Sequence, residues 1–397
     1  MLAKLWLDAI RKIYENGDIP SGGISPEVVK ATGTELSNAV DVGFNQILKD
    51  VDYTAIDHTI REILKKNAWK FSVAKNYNDN IRINNLLTRG DGSVRPWNEF
   101  KREAMRVVGM SNRYLKTEYD TIVAGAMMSR QWQEIQRDKH IFPYAKFVVT
   151  LDNHTSDICA PLSGVVVQVD DPILQYYFPP NHFNCRTSVI KLRDATPTPQ
   201  EQIPKLDLPE EFLNNTGITG EVFTDKNKYI KNTPKKVLDK SNFYHERNEL
   251  YLKYKNNPDY YDVEINDLSG VKATHRLHNF DKRTGIYEKE VQNILFKEGY
   301  KVILESEDPK IEGKKVDGFL NDRSFDISSI LGDGKNTIVR ALKHSYKKKA
   351  EVAILYFPNK EIYSMNELNR SIARYNGQID YRFKKIIYIV EGKINFY

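Results

Sequence analysis

At 397 residues, with 40% hydrophobic and 28% charged residues, the chain has enough apolar mass for two or three globular domains. Its net charge of +6 is compatible with nucleic-acid contact. Two cysteines exclude a disulfide-dense scaffold, and no apolar run approaches the roughly 18 residues of a spanning helix, so no membrane anchor is expected.

The opening "MLAKLWLDAIRKIYENGDIP" spaces its apolar positions as a helix face from Leu5 to Tyr14. It lacks a continuous hydrophobic stretch with a small-residue cleavage site, so no signal peptide is read. "SGGISPEVVKATG" is a turn with a helix start at Pro26, and "ELSNAVDVGFNQIL" and "YTAIDHTIREILKKNAWKFSVAK" follow the helical period. "LLTRGDGSVRPW" is a break. Trp97 to Gln136 is long and amphipathic and reads as one kinked helix or two. A β-rich run from Phe147 to Leu151 then opens a loop region that carries the cysteines, with "GVVVQVDDP" as a further short strand. "DATPTPQEQIPKLDLPEEF" has the composition of a linker or extended arm, and the basic, Tyr-bearing stretch from Asn227 to Tyr261 that of a linking helix or docking surface.

From about Val263 the texture becomes α+β. "IYEKEVQNILFKEGY" predicts a helix ending at Gly299, "KVILES" a strand, and "KKVDGFLNDRSFDISSI" two strands around Asn321-Asp322. "NTIVRALKHSYKKKA" and "MNELNRSIARYNG" predict helices, and "EVAILYF", "KKIIYIV" and "KINFY" strands. The fold class is therefore multidomain: a mostly α N-terminal region at 1–90, a small α+β core within 91–235, a linker at 236–265, and an α+β domain at 266–397.

Two constellations carry chemistry. In the first, His154, Cys159, His182 and Cys185 supply two Cys/His pairs, a donor set suited to a structural zinc ion. The alternative is that the cysteines are buried packing residues and the histidines bond carbonyls. Arg186 is a candidate partner for Asp152 in a fixed internal ion pair, or a solvated arginine.

In the second, Glu288, Val291 and Leu295 share one helix face, which puts a carboxylate on an apolar stripe; the bland reading is a first-turn acid favoured by the helix dipole. Glu290 lies off that stripe. Asp317 and Asp326 fall on adjacent strands joined by a tight turn, and Ser328 shares the face of Asp326. Such a set can hold a divalent metal for phosphodiester hydrolysis. It can equally position an RNA ribose for metal-free transfer to the 2′-OH, with His275, His278 or His344 as acid or base. Lys335, Arg340, Lys343, Lys347 and Lys348 (with Lys349 beside them) form a basic stripe suited to a phosphate backbone, or an ordinary solvated helix face.

"YLKTEYDTIVAGAMMSRQW", "LDNHTSDICAPLSG" and "PPNHFNCRT" together resemble the phage Mu F-like minor head (head morphogenesis) proteins over roughly residues 90 to 190. "EEFLNNTGITGEVFTDKNKYI" is similar to a tail that often follows that core. The family pattern carries further cysteines where this chain has Ser156 and Thr187, so a two-pair cysteine site is incomplete here. The resemblance implies a minor capsid component near the portal, with portal and capsid proteins as partners. It implies a place in the virion, in the bacterial cytoplasm during assembly, and delivery towards a target cell.

Roughly residues 270 to 397, through "VDGFL", "FDIS" and "VAILYF", resemble the C-terminal tRNases of contact-dependent inhibition toxins, of the barnase/EndoU/colicin/RelE-like group. That resemblance implies an RNase acting on tRNA, with no cofactor required, and an immunity protein as partner. Two alternatives stand beside it. One is a structural head protein with a non-catalytic binding domain. The other is a metal-dependent DNA endonuclease of the restriction-endonuclease-like D…(D/E)-x-K class, from which Ser328 departs by standing where that pattern has lysine.

Overall fold

The computed structural model describes residues 1–44, 55–153, 155–307 and 315–397. It divides into two compact units, Met1–His245 and Glu246–Tyr397.

Unit 1 begins with four helices, α1 (Leu2–Asn16), α2 (Pro26–Gly43), α3 (Ala55–Asn84) and α4 (Trp97–Asp138). The stretch 45–54, into which two of the sequence-predicted helices extend, lies outside the described residues. α4 is one continuous helix, about 63 Å long at 1.5 Å per residue. Nothing interrupts it, because it contains no proline and its exposed face is laced by short-range pairs such as Lys116–Asp120 and Arg130–Glu134. Its first half packs Phe100, Ala104 and Val108 against Trp6, Ile10 and Ile13 of α1. Further along, Ile122 and Ala126 join Leu36 and Val40 of α2 and Leu64 and Phe71 of α3.

The end of α4 covers a three-stranded antiparallel sheet, β1 (Tyr144–Val149), β2 (Val166–Gln168) and β3 (Thr187–Leu192), in the order β2-β1-β3. Met128, Trp132 and Ile135 meet Ala145, Phe147, Val167 and Val189 there. β1 begins three residues before Phe147, and β3 is absent from the sequence reading, since "TSVIKL" sets the polar Thr187 and Lys191 on the covered face with Val189 and leaves the apolar Ile190 exposed, which hides the alternation.

The Pro-rich segment after β3 is an extended arm that buries Leu208 and Phe212. It leads to α5 (Thr216–Thr219), α6 (Lys228–Lys231) and α7 (Lys235–Leu238). These short helices dock the tail: Val222, Phe223 and Ile230 join the core of α2, α3 and α4. Gly217 is required at that contact, because a Cβ would lie 2.4 Å from Trp132 Cβ. α8 (Lys240–Lys255) contains the boundary between the units.

Unit 2 is a three-layer α/β/α assembly on one eight-stranded mixed sheet. In chain order its elements are β4 (Tyr260–Ile265), β5 (Val271–His275), α9 (Gly285–Lys297), β6 (Lys301–Leu304), β7 (Gly318–Leu320), β8 (Arg323–Ser329), α10 (Thr337–Lys347), β9 (Val352–Phe357), α11 (Met365–Gln378), β10 (Lys385–Val390) and β11 (Lys393–Phe396). The strand order equals the chain order. The crossovers through α9, α10 and α11 make β5–β6, β8–β9 and β9–β10 parallel, and the other neighbours are antiparallel.

Every residue of β9 is buried, as a central strand covered on both faces must be. Val352, Ile354 and Tyr356 face Val291 and Leu295 of α9, while Ala353, Leu355 and Phe357 face Leu342 of α10 and Ile372 of α11. The β7–β8 turn at Asn321-Asp322 is the predicted one. Both residues have positive φ, 45° and 69°, in a two-residue connection between Leu320 and Arg323, the geometry that matches strand twist. Gly318 is needed where β7 meets β6, since a Cβ would fall 1.8 Å from the Ile303 carbonyl oxygen. Lys314 and its six predecessors lie outside the described residues.

Candidate functional site

β7 and β8 hold two acids at the same level of the sheet. Asp317 precedes β7 by one residue and is fixed there by its backbone: its N–H donates to Phe325 O, and its carbonyl accepts from Glu305 N–H. Asp326 lies within β8, on the side facing α10, because its neighbours Phe325 and Ile327 fill the α9 side. Both carboxyls are buried. Asp317 Oδ2 accepts the Ile327 N–H at 2.7 Å, and Asp326 Oδ2 accepts the Ser345 hydroxyl at 2.6 Å.

Between them stands Lys348, just past the end of α10. Its Nζ is 2.6 Å from Asp317 Oδ1 and 2.7 Å from Asp326 Oδ1, and 4.0 Å from a carboxylate oxygen of Glu307. The contact with Asp326 Oδ1 is a charge contact without hydrogen-bond alignment, so that buried oxygen has no directed donor among the described residues. Burial first, and the facing Asp326 charge second, push the Asp317 pKa up to about 7, against the pull of Lys348. Burial alone would lower the pKa of the Lys348 ammonium, but Asp317 and Asp326 override it and hold it above its ordinary value. The cluster is therefore a charged lysine shared by two buried acids.

His344, one turn earlier on α10, is exposed and places Nε2 3.9 Å from Asp326 Oδ1. Arg340 and Lys347 flank it on the same helix and are exposed, as is Lys335; Lys343 is half-buried. None of these four makes an ion pair among the described residues, so the basic face beside the acids is open. Lys348, predicted as part of that stripe, turns inward instead. Ser328 is half-buried two residues along β8 from Asp326 and makes no hydrogen bond to the cluster among the described residues.

Glu288 sits in the first turn of α9, where Oε2 meets His278 Nε2 at 3.0 Å. His278 Nδ1 lies 2.8 Å from Glu305 O, which fixes the ring. Burial opposes a charged His278, yet the Glu288 carboxylate and the Glu305 carbonyl raise its pKa above the ordinary value, with Glu307 adding to the pull. Glu305 and Glu307 connect this pair to the acids: the Glu305 N–H bonds Asp317 O, and Glu307 approaches Lys348. His275 stands apart. Its Nδ1 accepts the Leu277 N–H at 3.0 Å, and its ring lies edge-on to Tyr260.

Sequence reasoning missed Ser345, Glu307 and the inward role of Lys348. The available signal was the helical offset in "HSYKK", which puts Ser345 and Lys348 at i and i+3 on one side of α10.

In unit 1, Cys159, His182 and Cys185 come together, while His154 lies outside the described residues. The Cys159 thiol, then His182 and the Asn181 and Thr187 amides, hold Cys185 well below the ordinary thiol range, and Cys159 is raised in turn. Arg186 does pair with Asp152, in a bidentate contact of 2.6 and 2.7 Å, but both side chains are about two-fifths exposed, so the pair is a surface clamp and not an internal one. Thr155 ties the same loop: its hydroxyl donates to Thr150 O and accepts the Asp152 N–H. Glu118 of "YLKTE" is buried against Lys75 at 2.7 Å.

Residues 80–190 match the family described as Phage Mu protein F like protein. The "Putative capsid assembly protein F" of Escherichia phage Mu is 29% identical over 136 residues, which is 31% of this chain and 30% of that protein. The chain thus matches about a third of its relative's length. Among solved structures, the CdiA-CT/CdiI toxin and immunity complex from Burkholderia pseudomallei aligns with 29% of this chain and 84% of its own, at 19% identity and a TM-score of 0.23. A score of that size does not establish a common fold. No helix among the described residues is long and apolar enough to cross a membrane.

Proposed function

We propose that the chain is a phage head-assembly protein whose C-terminal unit cleaves nucleic-acid phosphodiesters, with RNA, and tRNA within it, as substrate. The first half of this reading rests on the Mu F-like match and on the capsid-assembly role named for its phage Mu relative. Portal and capsid proteins are then its partners and the phage head its place. The tail that follows the matched segment packs Val222, Phe223 and Ile230 into the core of α2, α3 and α4.

The second half rests on one observation: two buried acids on adjacent strands share Lys348 beside an open basic face. In this reading Arg340, Lys343 and Lys347 hold the phosphate backbone, and Lys348 stabilises charge that develops on the scissile phosphate. His344, exposed and 3.9 Å from Asp326, exchanges protons with the reacting oxygen. His278, held by Glu288, is the second acid–base candidate. An immunity protein covering the basic face is the matching partner.

The alternative of a metal-dependent endonuclease gains from the same lysine. Ser328 occupies the position where that class carries lysine, and α10 delivers Lys348 to the two acids instead. Asp317 and Asp326 offer two carboxylates to a divalent cation, but the Lys348 ammonium stands between them, so a cation would have to displace it. A cation held by Asp317 and Asp326 would supply Lewis-acid polarisation of the phosphate.

The test is incubation of the purified full chain with tRNA and with duplex DNA, each with and without EDTA, beside Asp326→Ala. The proposal expects tRNA cleavage that Asp326→Ala abolishes. Cleavage that persists in EDTA selects the metal-free reading, and DNA cleavage blocked by EDTA selects the alternative. Intact substrates under all conditions, from a folded protein, end both.

A further inference from the structure

We propose that Cys159, His182 and Cys185 form a mononuclear zinc site inside the Mu F-like segment, pinning the "DICAPLSG" loop to the "NHFNCRT" loop. Their three ligand atoms all lie within 4.8 Å of one another, and this trio is the one cluster of metal-binding residue types among the described residues that does so. The two sulfurs are 3.7 Å apart. A bonded disulfide would need about 2.05 Å, whereas two thiolates on one tetrahedral zinc, each about 2.3 Å from the metal, stand roughly 3.8 Å apart.

The histidine is set up for the same task. His182 Nδ1 lies 2.7 Å from the Phe183 carbonyl oxygen, so Nδ1 carries the proton and Nε2 keeps its lone pair. Nε2 is buried, and among the described residues the group it faces is the Cys185 sulfur. A histidine whose one nitrogen donates to a carbonyl while the other faces a sulfur has the outer-shell arrangement of a zinc ligand. The sulfurs have their own support: Asn181 Nδ2 donates to Cys159 Sγ at 3.8 Å, and the backbone amides of Asn181 and Thr187 point at Cys185 Sγ. A cavity of about 10 Å³ borders Cys159 and His182, which is the space of one water-sized species.

Both cysteines are buried, at 2% and 7% exposure, so the ion sits out of bulk water. The described residues supply three ligands, which leaves a fourth position to a further donor such as water. Zinc binds the thiols as thiolates and releases their protons, so loading falls as the solution becomes acidic. Because Cys159 precedes β2 and Cys185 precedes β3, the ion staples the two loops that flank the three-stranded sheet.

The experiment uses the full chain, purified under reducing conditions without chelator. Elemental analysis is expected to find about one zinc per chain, lost on dialysis against a chelator and regained with zinc. Co(II) added to the metal-free protein is expected to give thiolate-to-cobalt charge transfer and the intense visible bands of four-coordinate cobalt. Cys185→Ser and His182→Gln should each weaken cobalt binding by more than about a hundredfold, whereas His182→Cys should keep four-coordinate cobalt with stronger charge transfer. The spectrum of the unsubstituted chain needs no variant to fold. A reduced, folded chain that holds no zinc and gives no thiolate-to-cobalt band overturns the proposal. Recovery of Cys159 and Cys185 as a disulfide, without metal however the chain is purified, overturns it as well.

Discussion

In unit 1, Lys75 lies 2.7 Å from Glu118 with both side chains 5% exposed, and Asp79 nearby is matched by the Ser111 hydroxyl and by Arg82 at 3.7 Å. In unit 2, Lys348 lies between Asp317 and Asp326, with Glu307 at 4.0 Å. Both clusters bury a lysine among acids, and burial raises an acid in each: Glu118 and Asp79 in the first, Asp317 in the second. What differs is balance and access. The first has two cations for two acids and a sealed lysine under the Tyr229 ring. The second has one cation for at least two acids, with an exposed histidine and an open basic face beside it. A buried ion pair is therefore no mark of chemistry by itself. An excess of buried negative charge, next to a surface that attracts phosphate, is the more telling arrangement.

Breaking the two clusters should have opposite outcomes. The largest effect is on cleavage: Asp326→Asn should lower the rate on the order of a thousandfold or more, as read by a tRNA gel, while the melting temperature holds or rises. The next is on stability. Lys75→Met leaves Glu118 buried without its partner and should cost about 3–5 kcal/mol in urea unfolding of unit 1, with cleavage unchanged. Adding Glu118→Leu to it should recover much of the loss, because an apolar pair replaces an ionic one. Equal losses of cleavage from Lys75→Met and Asp326→Asn would erase the distinction between the clusters.

A smaller effect sharpens it through pH. The folded pKa of Asp317 is raised to about 7, so the folded chain holds that proton more tightly than the unfolded one. Its burial then costs stability as pH rises from the ordinary aspartate value of about 3.9 towards about 7, and the full cost persists above that. Asp317→Asn removes this contribution. A rise from about 3.9 to about 7 is worth about 4 kcal/mol in full; less the lost charge contact with Lys348, the variant should be more stable than the parent at pH 8 by about 1–4 kcal/mol and should lose the advantage at low pH. Parallel melting curves against pH for the two proteins would contradict the assignment.

These clusters also show what a sequence can disclose. The acids of unit 2 were legible because period-two alternation and the Asn321-Asp322 turn fix which residues oppose one another on β7 and β8. Lys348 was legible only as a charge. Its inward turn depends on where α10 crosses the sheet; the i, i+3 offset from Ser345 shows only that the two share a side of the helix. The helices of unit 1 were readable from their period, but β3 was not, because its burial comes from pairing with β1 and not from its own composition. Cys159 and His182 meet through loops whose geometry the strands set, so their spacing along the chain suggested a donor set but not which members converge.

The smallest expected effect concerns Ser328. It shares the face of Asp326 and stands where a D…D-x-K arrangement would place its lysine, yet it makes no hydrogen bond to the acids among the described residues. The ammonium that such an arrangement requires already arrives from α10, at 2.6 Å from Asp317 and 2.7 Å from Asp326. Ser328→Ala should therefore leave cleavage within about twofold of the parent, a change of under about 0.5 kcal/mol in the barrier. The same logic gives a rescue. Lys348→Ala should lose cleavage, and Ser328→Lys in that background should restore part of it by returning a cation to the two carboxylates from the strand side. Rescue by Ser328→Lys, with no gain from the same change in the parent, would locate the requirement in the charge between the acids and not in the element that delivers it. Failure of the rescue, with the double variant folded, would mean that the path of Lys348 from α10 matters in its own right.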